Sequence, residues 1–300
     1  MSQRTLAVVV THNRKDLLAR CLDHLQQQVR APDDIVVINN GSADGTEAML
    51  LARGIRCITQ DNVGSAGGWH RGVECALAER FDAVWLMDDD GFPEKSALEY
   101  LLAELRPRVA CTSSVVLCED DPERLVFPLP RLDAEGLPVI FSLRRKLFTL
   151  PQAMSLSENG LYPFAHFFNG ALISTAAIRQ VGNVDRDFFI AGDELDFLYR
   201  LRAAGPIYTV IAARHYHPDV AGRPHTDGRV YYYVKNTLIL NRRYLDWVPI
   251  RNVLTITAVL ARTVKRNGLP EGLSYLFGGK RRILWLAISR GLRGQVARDF

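Results

Sequence analysis

None of the five cysteines, Cys21, Cys57, Cys75, Cys111 and Cys118, stands in a C-x-x-C spacing, and their number is odd. Both observations argue against a zinc knuckle and against a disulfide framework, and a reducing cytosol is the simplest compartment for such a chain. A charged segment followed by an apolar core, the mark of a secretory leader, is missing: Leu6 to Val10 is too short and runs straight into Thr11-His12-Asn13-Arg14. Long hydrophobic runs are missing too. The longest uncharged stretch, Asn159 to Ile178, is broken by Pro163, His166, Asn169 and two glycines, so no transmembrane helix is expected. The first strand-to-helix turn has no glycine, which excludes a dinucleotide fingerprint, and Gly64-Ser65-Ala66-Gly67-Gly68 lacks the Lys-Ser/Thr ending of a P-loop. No helix-turn-helix or zinc-finger spacing points to a nucleic-acid partner, and no internal repeat stands out.

What is present is ordinary globular composition: 300 residues, 48% hydrophobic and 23% charged, enough for one large domain or a domain with an appendage. Leu6 to Val10 reads as a buried strand, and Arg14 to Gln28 follows with Leu17, Leu18, Cys21, Leu22 and Leu25 on one helical face. Ile35 to Ile38 is a second strand, ending in the turn-forming run Asn39-Asn40-Gly41-Ser42-Ala43-Asp44-Gly45-Thr46. Cys57 to Thr59 is a third; after it, Asn62 to Gly68 is expected as a glycine-rich loop and about Trp69 to Arg80 as a helix. The loop can bring backbone close to an anionic ligand or be a simple tight turn. A fourth strand, Ala83 to Met87, ends in Asp88-Asp89-Asp90. Strands alternating with helices predict an open parallel α/β sheet whose ligand lies beyond the strand tips.

The aspartate triplet organises the rest. Three adjacent carboxylates at a strand tip either form a solvated acidic turn or hold a hard divalent cation, Mg2+ or Mn2+, shared with a phosphate. Downstream, Asp193-Glu194 opens a helix running through Leu198 and Leu201 towards Gly205. Local pattern alone allows both acids to be favoured first-turn residues. His215 follows the apolar strand Ile207 to Ile211, with His217 two residues on. Residues 118–165, with Pro122, Pro128, Pro130 and Pro138, fit no β-α rhythm and are expected to form loops or a hairpin.

Taken together, these motifs resemble the inverting nucleotide-sugar glycosyltransferases of glycosyltransferase family 2, which have the GT-A fold. The resemblance spans about residues 5–245. Val8 to Arg14 looks like the opening strand and nucleotide-binding turn, Asn39 to Thr46 is similar to the D-[DN]-x-S-x-D-G-T loop, and Asp88 to Asp90 matches the D-x-D metal motif. Phe168 to Ala171, Val181-Gly182, Asp185 to Ile190 and Gly192 to Phe197 resemble the segment that delivers the catalytic base. Asn39 departs from the usual aspartate, which leaves base selectivity at that loop open.

The resemblance implies roles for individual residues. Glu194 is the implied catalytic base, with Asp193 as runner-up. Asp88 and Asp90 are the implied metal ligands, with His215 as a third and His217 as its less favoured alternative. Donor contacts are implied for Thr11, Asn13, Arg14, Asn39, Asn40, Asn62, Gly67, Gly68, Trp69, Arg71, Asp88, Asp89, Lys235 and Asn236. The stretch Asn62 to Gly72 looks closest to galactofuranosyl- and rhamnosyltransferase relatives, favouring UDP-galactofuranose as donor over dTDP-rhamnose. A glycan or lipid-linked saccharide is the expected acceptor. A metal-dependent phosphohydrolase or a nucleotidyltransferase should carry further motifs that this chain lacks; a non-catalytic sugar-nucleotide-binding module is the alternative that remains.

Charge divides the chain. The expected catalytic domain, 1–245, contains a donor half (about 1–117), the 118–165 insertion and a base segment (about 166–217). A tail, 246–300, carries the basic excess: Arg251 to Phe300 has ten Lys/Arg against Glu271 and Asp299, while the whole chain is only +4. Ile250, Val253, Leu254, Leu260, Ala261 and Val264 fit one helical stripe, and Leu273, Leu276, Phe277, Leu284, Ala287 and Ile288 a second, with Trp285 beside Lys280-Arg281-Arg282. Such helices either pack on protein, including a second subunit in a homo-oligomer, or lie on anionic lipid. The expectation is a cytoplasmic protein, peripheral at the inner face of the membrane.

Overall fold

The computed structural model describes residues 3–299. Met1 and Ser2, at the start of the expected catalytic domain, and Phe300, the end of the expected tail, lie outside the described residues. In chain order the elements are β1 (Thr5–Thr11), α1 (Lys15–Gln26), β2 (Asp34–Asn39), α2 (Thr46–Ala52), β3 (Arg56–Thr59), α3 (Gly64–Ala78), β4 (Ala83–Asp88), β5 (Phe92–Pro93), α4 (Ala97–Glu104), β6 (Cys111–Cys118), β7 (Asp121–Pro130), β8 (Lys146–Thr149), α5 (Leu150–Ser155), β9 (Leu161–Tyr162), β10 (Asn169–Ser174), α6 (Thr175–Val181), α7 (Asp193–Leu201), β11 (Ile207–His217), α8 (Asp227–Tyr244), α9 (Val248–Asn267), α10 (Leu269–Phe277) and α11 (Arg281–Arg293). They form two compact units, one running to Val184 and resuming at Phe197–Asp219, the other made of Asp185–Asp196 and Val220–Phe300. The sequence-based boundary at 245/246 thus falls between two helices of the second unit.

The first unit is built on a sheet of order β3-β2-β1-β4-β10-β6-β11-β5. All seven residues of β1 are buried, because it lies between β2 and β4, parallel to both. A strand covered on both faces needs no alternation, which is why Leu6 to Val10 is apolar throughout. Helix α1 buries Leu18, Cys21, Leu22 and Leu25, positions that share one helical face, and these join Ala7, Val9, Trp85 and Met87 in the main core.

Two expectations are corrected. The sheet is mixed, since β10 runs antiparallel to both β4 and β6. That reversal sets Asn169, at the start of β10, opposite Met87 at the end of β4. The glycine-rich stretch is not a loop before a helix at Trp69; α3 begins at Gly64. Its glycines permit close helix-on-strand packing. A Cβ on Gly68 would lie 2.6 Å from Val10 Cγ1, and one on Gly72 only 2.2 Å from Val8 Cγ1. The insertion does contain a hairpin, β7 paired antiparallel with β8. Helix α7 stops at Leu201, short of Gly205, and β11 continues to His217, so both histidines lie inside a strand.

The second unit is helical. Val230, Tyr231, Tyr232, Val234 and Leu238 of α8 pack with Val259, Tyr275, Leu284 and Ala287 into a core of their own. Asn236 organises the loop before α7: its Nδ2 donates to the carbonyls of Phe188, Ile190 and Ala191 at 3.2, 3.0 and 2.5 Å. That loop contains Phe189 at φ 62° and Ala191 at φ 60°, left-handed conformations that a non-glycine residue holds only when its surroundings impose them.

The close approach of α3 to β1 generates a test. Gly72→Ala gains up to about 1 kcal/mol of helix propensity but forces a methyl into Val8, at a cost of about 1–3 kcal/mol. We expect net destabilisation in urea unfolding, relieved when Val8→Ala is added. Stabilisation of the single variant would show that the helix yields freely.

Candidate active site

The carboxyl ends of β1, β2 and β4 lie side by side, with Thr11 opposite Asn39 and Val10 opposite Asp88. Parallel register therefore gathers the first turn, the Asn39–Thr46 loop and the aspartates. Asp89 and Asp90 are both buried, at 3% exposure, so neither belongs to a solvated acidic turn. Thr11 Oγ1 donates to Asp89 Oδ2 at 2.7 Å. Arg14 reaches over from the start of α1 and its Nη1 lies 3.0 Å from Asp89 Oδ1 and 2.9 Å from Asp90 Oδ2. Burial pushes the Asp89 carboxyl above the usual carboxylate range, against the opposing pull of Arg14 and Thr11.

Two histidines of β11 flank this tip differently. His217 Nε2 lies 3.0 Å from Asp90 Oδ1, while its Nδ1 lies 2.6 Å from the Pro218 carbonyl. Both facing groups are acceptors, so a neutral ring satisfies one of them and the other needs a ring proton or a shared cation. His215 is fully buried and neither ring nitrogen has a hydrogen-bond partner among the described residues. Glycines clear its space: a Cβ on Gly91 would lie 2.3 Å from its Nε2, and one on Gly170 3.1 Å from its Nδ1. Burial, then the charge of His217, holds the His215 imidazolium down to about 3, so the ring stays neutral. Oxygen from Asp88 and Asp90 with one imidazole nitrogen is a donor set that suits Mn2+ or Mg2+ in kind. Among the described residues no three His, Cys, Asp or Glu side chains are gathered around one metal point. In this structure it is the Arg14 guanidinium that neutralises the pair.

The other expected donor residues fall into two groups. Asn13, at φ 53°, links the first turn to the β2 loop: its backbone N–H donates to Ser42 Oγ at 2.9 Å and its Oδ1 accepts from the Ala43 N–H at 2.7 Å. Asp44, not singled out as a site residue, accepts from the Lys15 and Thr46 N–H groups and so caps the starts of α1 and α2. Asn39 accepts from Ser42 N–H, and Asn40 donates to the Gly64 carbonyl and accepts from Gln60 Nε2. These amides shape the loops around the tip. Asn62 Oδ1 accepts from Gly64 N–H and starts α3.

The second group lies away from any ligand. Trp69 is fully buried and stacks on Phe168, ring centroids 4.4 Å apart and 8° from parallel. Gly67 and Gly68 are buried within α3, against Val63 and Val10. Arg71 is exposed and pairs with Glu74 at 3.3 Å. Lys235 and Asn236 are buried in α8, engaged with Asp299 and with the 188–191 loop respectively. From sequence, helical glycines and loop glycines look alike, and a buried lysine is not distinguishable from an exposed one.

Asp193 and Glu194 open α7 in the second unit. Asp193 is buried, its Oδ2 has no hydrogen-bond partner among the described residues, and burial followed by repulsion from Glu194 pushes its carboxyl up to about 7. Glu194 is half-buried. Asp196, one turn on, is engaged by Arg243 at 2.9 Å and the Tyr244 hydroxyl at 2.7 Å. A carboxyl raised on folding adds stability that is complete below its unfolded range and is lost as pH rises through the folded value. Asp193→Asn should therefore melt progressively higher than the parent between about pH 5 and about pH 8. Parallel melting profiles across that range would refute an ionisable Asp193 in this setting.

Comparison with known proteins gives the geometry a family. Residues 6–163 match the profile of glycosyl transferase family 2. Galactofuranosyltransferase GlfT1 of Mycolicibacterium smegmatis is 35% identical over 235 residues, 73% of this chain and 75% of that protein. GlfT1 of Mycobacterium tuberculosis is 36% identical over 233 residues, 73% and 71%. Among solved structures, GalNAc-T7 with UDP, GalNAc and Mn2+ aligns at a TM-score of 0.57 and 15% identity, covering 82% of this chain and 49% of that one. The mannosyltransferase PcManGT from Pyrobaculum calidifontis, in complex with GDP-Man and Mn2+, aligns at 0.56 and 15% identity over 98% and 86%. With a D-x-D strand tip, a mixed sheet of this order and these relatives, the chain belongs to glycosyl transferase family 2 and has the GT-A fold.

Proposed function

We propose that this glycosyltransferase moves galactofuranose, with inversion, from UDP-galactofuranose to a sugar hydroxyl of a glycan or lipid-linked saccharide. The observation that carries the donor choice is 35–36% identity to galactofuranosyltransferases over 73% of the chain. Asp88, Asp90 and His217 would hold a divalent cation, whose chemistry is to neutralise charge on the departing diphosphate. His217 replaces His215 in this reading, because its Nε2 faces Asp90 while the His215 ring is closed in by Gly91 and Gly170.

The chain's own residues do the rest. Thr11 fixes the Asp89 carboxylate, and Arg14, now on Asp89 and Asp90, is the cation nearest to an incoming diphosphate. A base has to meet the acceptor hydroxyl, which favours half-buried Glu194 over buried Asp193. Asn236 positions the strained turn that leads into both acids.

A donor panel tests the whole reading. Release of UDP from UDP-galactofuranose with Mn2+, dependent on acceptor, is the expected result; preferential turnover of dTDP-rhamnose would reassign the donor. Asp90→Asn and Glu194→Gln should each lower transfer by about 100-fold or more. Only the first should weaken Mn2+ binding, and unchanged turnover in EDTA would remove the metal from the scheme.

Peripheral membrane attachment is part of the proposal. No helix among the described residues is long and apolar enough to cross a membrane. Leu260, Leu284, Ala287 and Ile288 of the two expected stripes pack in the second core, yet Ile250, Val253, Leu273, Leu276, Phe277 and Trp285 remain exposed. Apolar side chains beside Arg281 and Arg282 suit an anionic interface. Truncation near Tyr244 would cut through that core, so the test keeps the chain whole. Phe277→Ser with Trp285→Ser should reduce co-sedimentation with anionic vesicles while leaving turnover of a water-soluble acceptor unchanged. Equal pelleting of parent and variant, or parent pelleting that added salt leaves unchanged, would count against lipid docking.

A further inference from the structure

The second unit buries a lysine. Lys235 has no exposed side-chain surface, and its ammonium lies between the rings of Tyr231 and Tyr232, 5.3 and 4.9 Å from their centroids. An ammonium removed from water needs an anion or several acceptors. The anion is Asp299, near the end of the chain: Lys235 Nζ donates to its Oδ2 at 2.6 Å and to the Ala297 carbonyl at 2.6 Å. Two more groups converge on the same carboxylate. The Tyr231 hydroxyl donates to Oδ2 at 2.7 Å, and Arg290 Nη1 lies 2.8 Å from Oδ1 and 3.0 Å from the Tyr231 hydroxyl. The Tyr232 hydroxyl accepts from the Asp299 N–H at 2.9 Å.

Charge and valence do not match here. Two cations and a phenol face one singly charged carboxylate that accepts through two oxygens. A phosphate or diphosphate carries more charge and more acceptor oxygens, and suits a lysine-arginine-tyrosine triad better. The occupant also sits on the part of a chain that is least restrained, within a few residues of its end. Removing Asp299 would leave a cationic cup whose walls are rigid helix, from α8 and α11. The same terminal segment reaches further: the Arg298 guanidinium lies over the Phe189 ring at 4.6 Å, in the strained turn that precedes Asp193 and Glu194.

We propose that Tyr231, Lys235 and Arg290 form a phosphate- or diphosphate-binding site, that Asp299 is its built-in occupant, and that a phosphorylated ligand enters by displacing the terminal segment. Displacement lifts Arg298 from Phe189 as well, so occupancy is communicated to the turn before α7. The site is independent of the transferase reading, because neither its geometry nor its test involves sugar transfer.

The test is calorimetric titration of the full-length protein with inorganic pyrophosphate and, separately, with UDP, in EDTA to suppress binding at the aspartate tip. Asp299→Ala should bind pyrophosphate at least about tenfold more tightly than the parent, one such factor being 1.4 kcal/mol. Adding Arg290→Gln, a change at a partly exposed residue, should abolish that gain. A parallel tightening for UDP would identify the ligand as the nucleotide end of a donor, whereas tightening for pyrophosphate alone would identify it as a non-nucleotide diphosphate such as a lipid-linked one. Equal pyrophosphate affinity in parent and Asp299→Ala, or a gain that survives Arg290→Gln, would overturn the proposal and leave Asp299 as a structural latch.

Discussion

Two neighbouring carboxylates, buried at the end of a hydrophobic strand, are the constraint on which the first unit depends. Asp89 and Asp90 follow a strand with no polar residue before Asp88, and nothing in that strand offsets their charge. The offset has to come from elsewhere in the sequence. Thr11 and Arg14 come from the β1 turn and His217 from β11, and each reaches the aspartates only because β1 is parallel to β4 at a fixed register and β11 closes on β5 beside Gly91. The order of strands is therefore tied to the electrostatics of their tips. A ligand that brings phosphates here has to contend with Arg14, the cation already in place.

Loop architecture around the tip follows the same economy of polar groups. Asn13, Asn39, Asn40 and Asp44 each bind backbone or side-chain groups of neighbouring turns, so that three strand ends are cross-linked before any ligand arrives. The resemblance in the Asn39–Thr46 motif is real at the level of sequence, but much of it encodes loop shape. Asn39 illustrates the point. An amide there accepts from Ser42 N–H and donates to Thr59 Oγ1, a double role that an aspartate could fill only on the accepting side.

Much of the donor half was legible in the sequence because strongly buried parallel strands produce continuous apolar runs and their tips carry the polar motifs. Leu6 to Val10, Ile35 to Ile38 and Ala83 to Met87 all fall within strands, and Asp88 to Asp90 lie at a tip. Three features were not legible for physical reasons. Antiparallel β10 leaves no local signature, since direction is set by partners distant in sequence. Gly67, Gly68 and Gly72 serve packing on Val10 and Val8, a demand visible only when the strand is in place. Trp69 and Lys235 look like ligand-binding residue types, yet one is stacked in the core and the other is neutralised by a carboxylate 64 positions away. A single-residue alternation in β11 decided the histidine question: His215 and His217 share a face, but the glycines at 91 and 170 close the space around the first and Asp90 meets the second.

The second unit shows how a helical appendage can carry chemistry without a polar cleft of its own. Its sequence reads as amphipathic helices with a basic excess, which suggests only surface or membrane contact. Packing changes that reading, because α8 presents Lys235 and Asn236 inward, where an ammonium and an amide have few partners. Asn236 finds three carbonyls in the 188–191 turn and thereby stabilises left-handed residues that would otherwise cost about 1–3 kcal/mol each. Lys235 finds the chain terminus. Adjacent residues on one helix thus tie down the turn that precedes Asp193-Glu194 and the segment that lies over it through Arg298 and Phe189. Any change that repositions α8 along its axis moves both attachments together, so the conformation of the acids at the start of α7 is coupled to the helical core rather than set by local propensity.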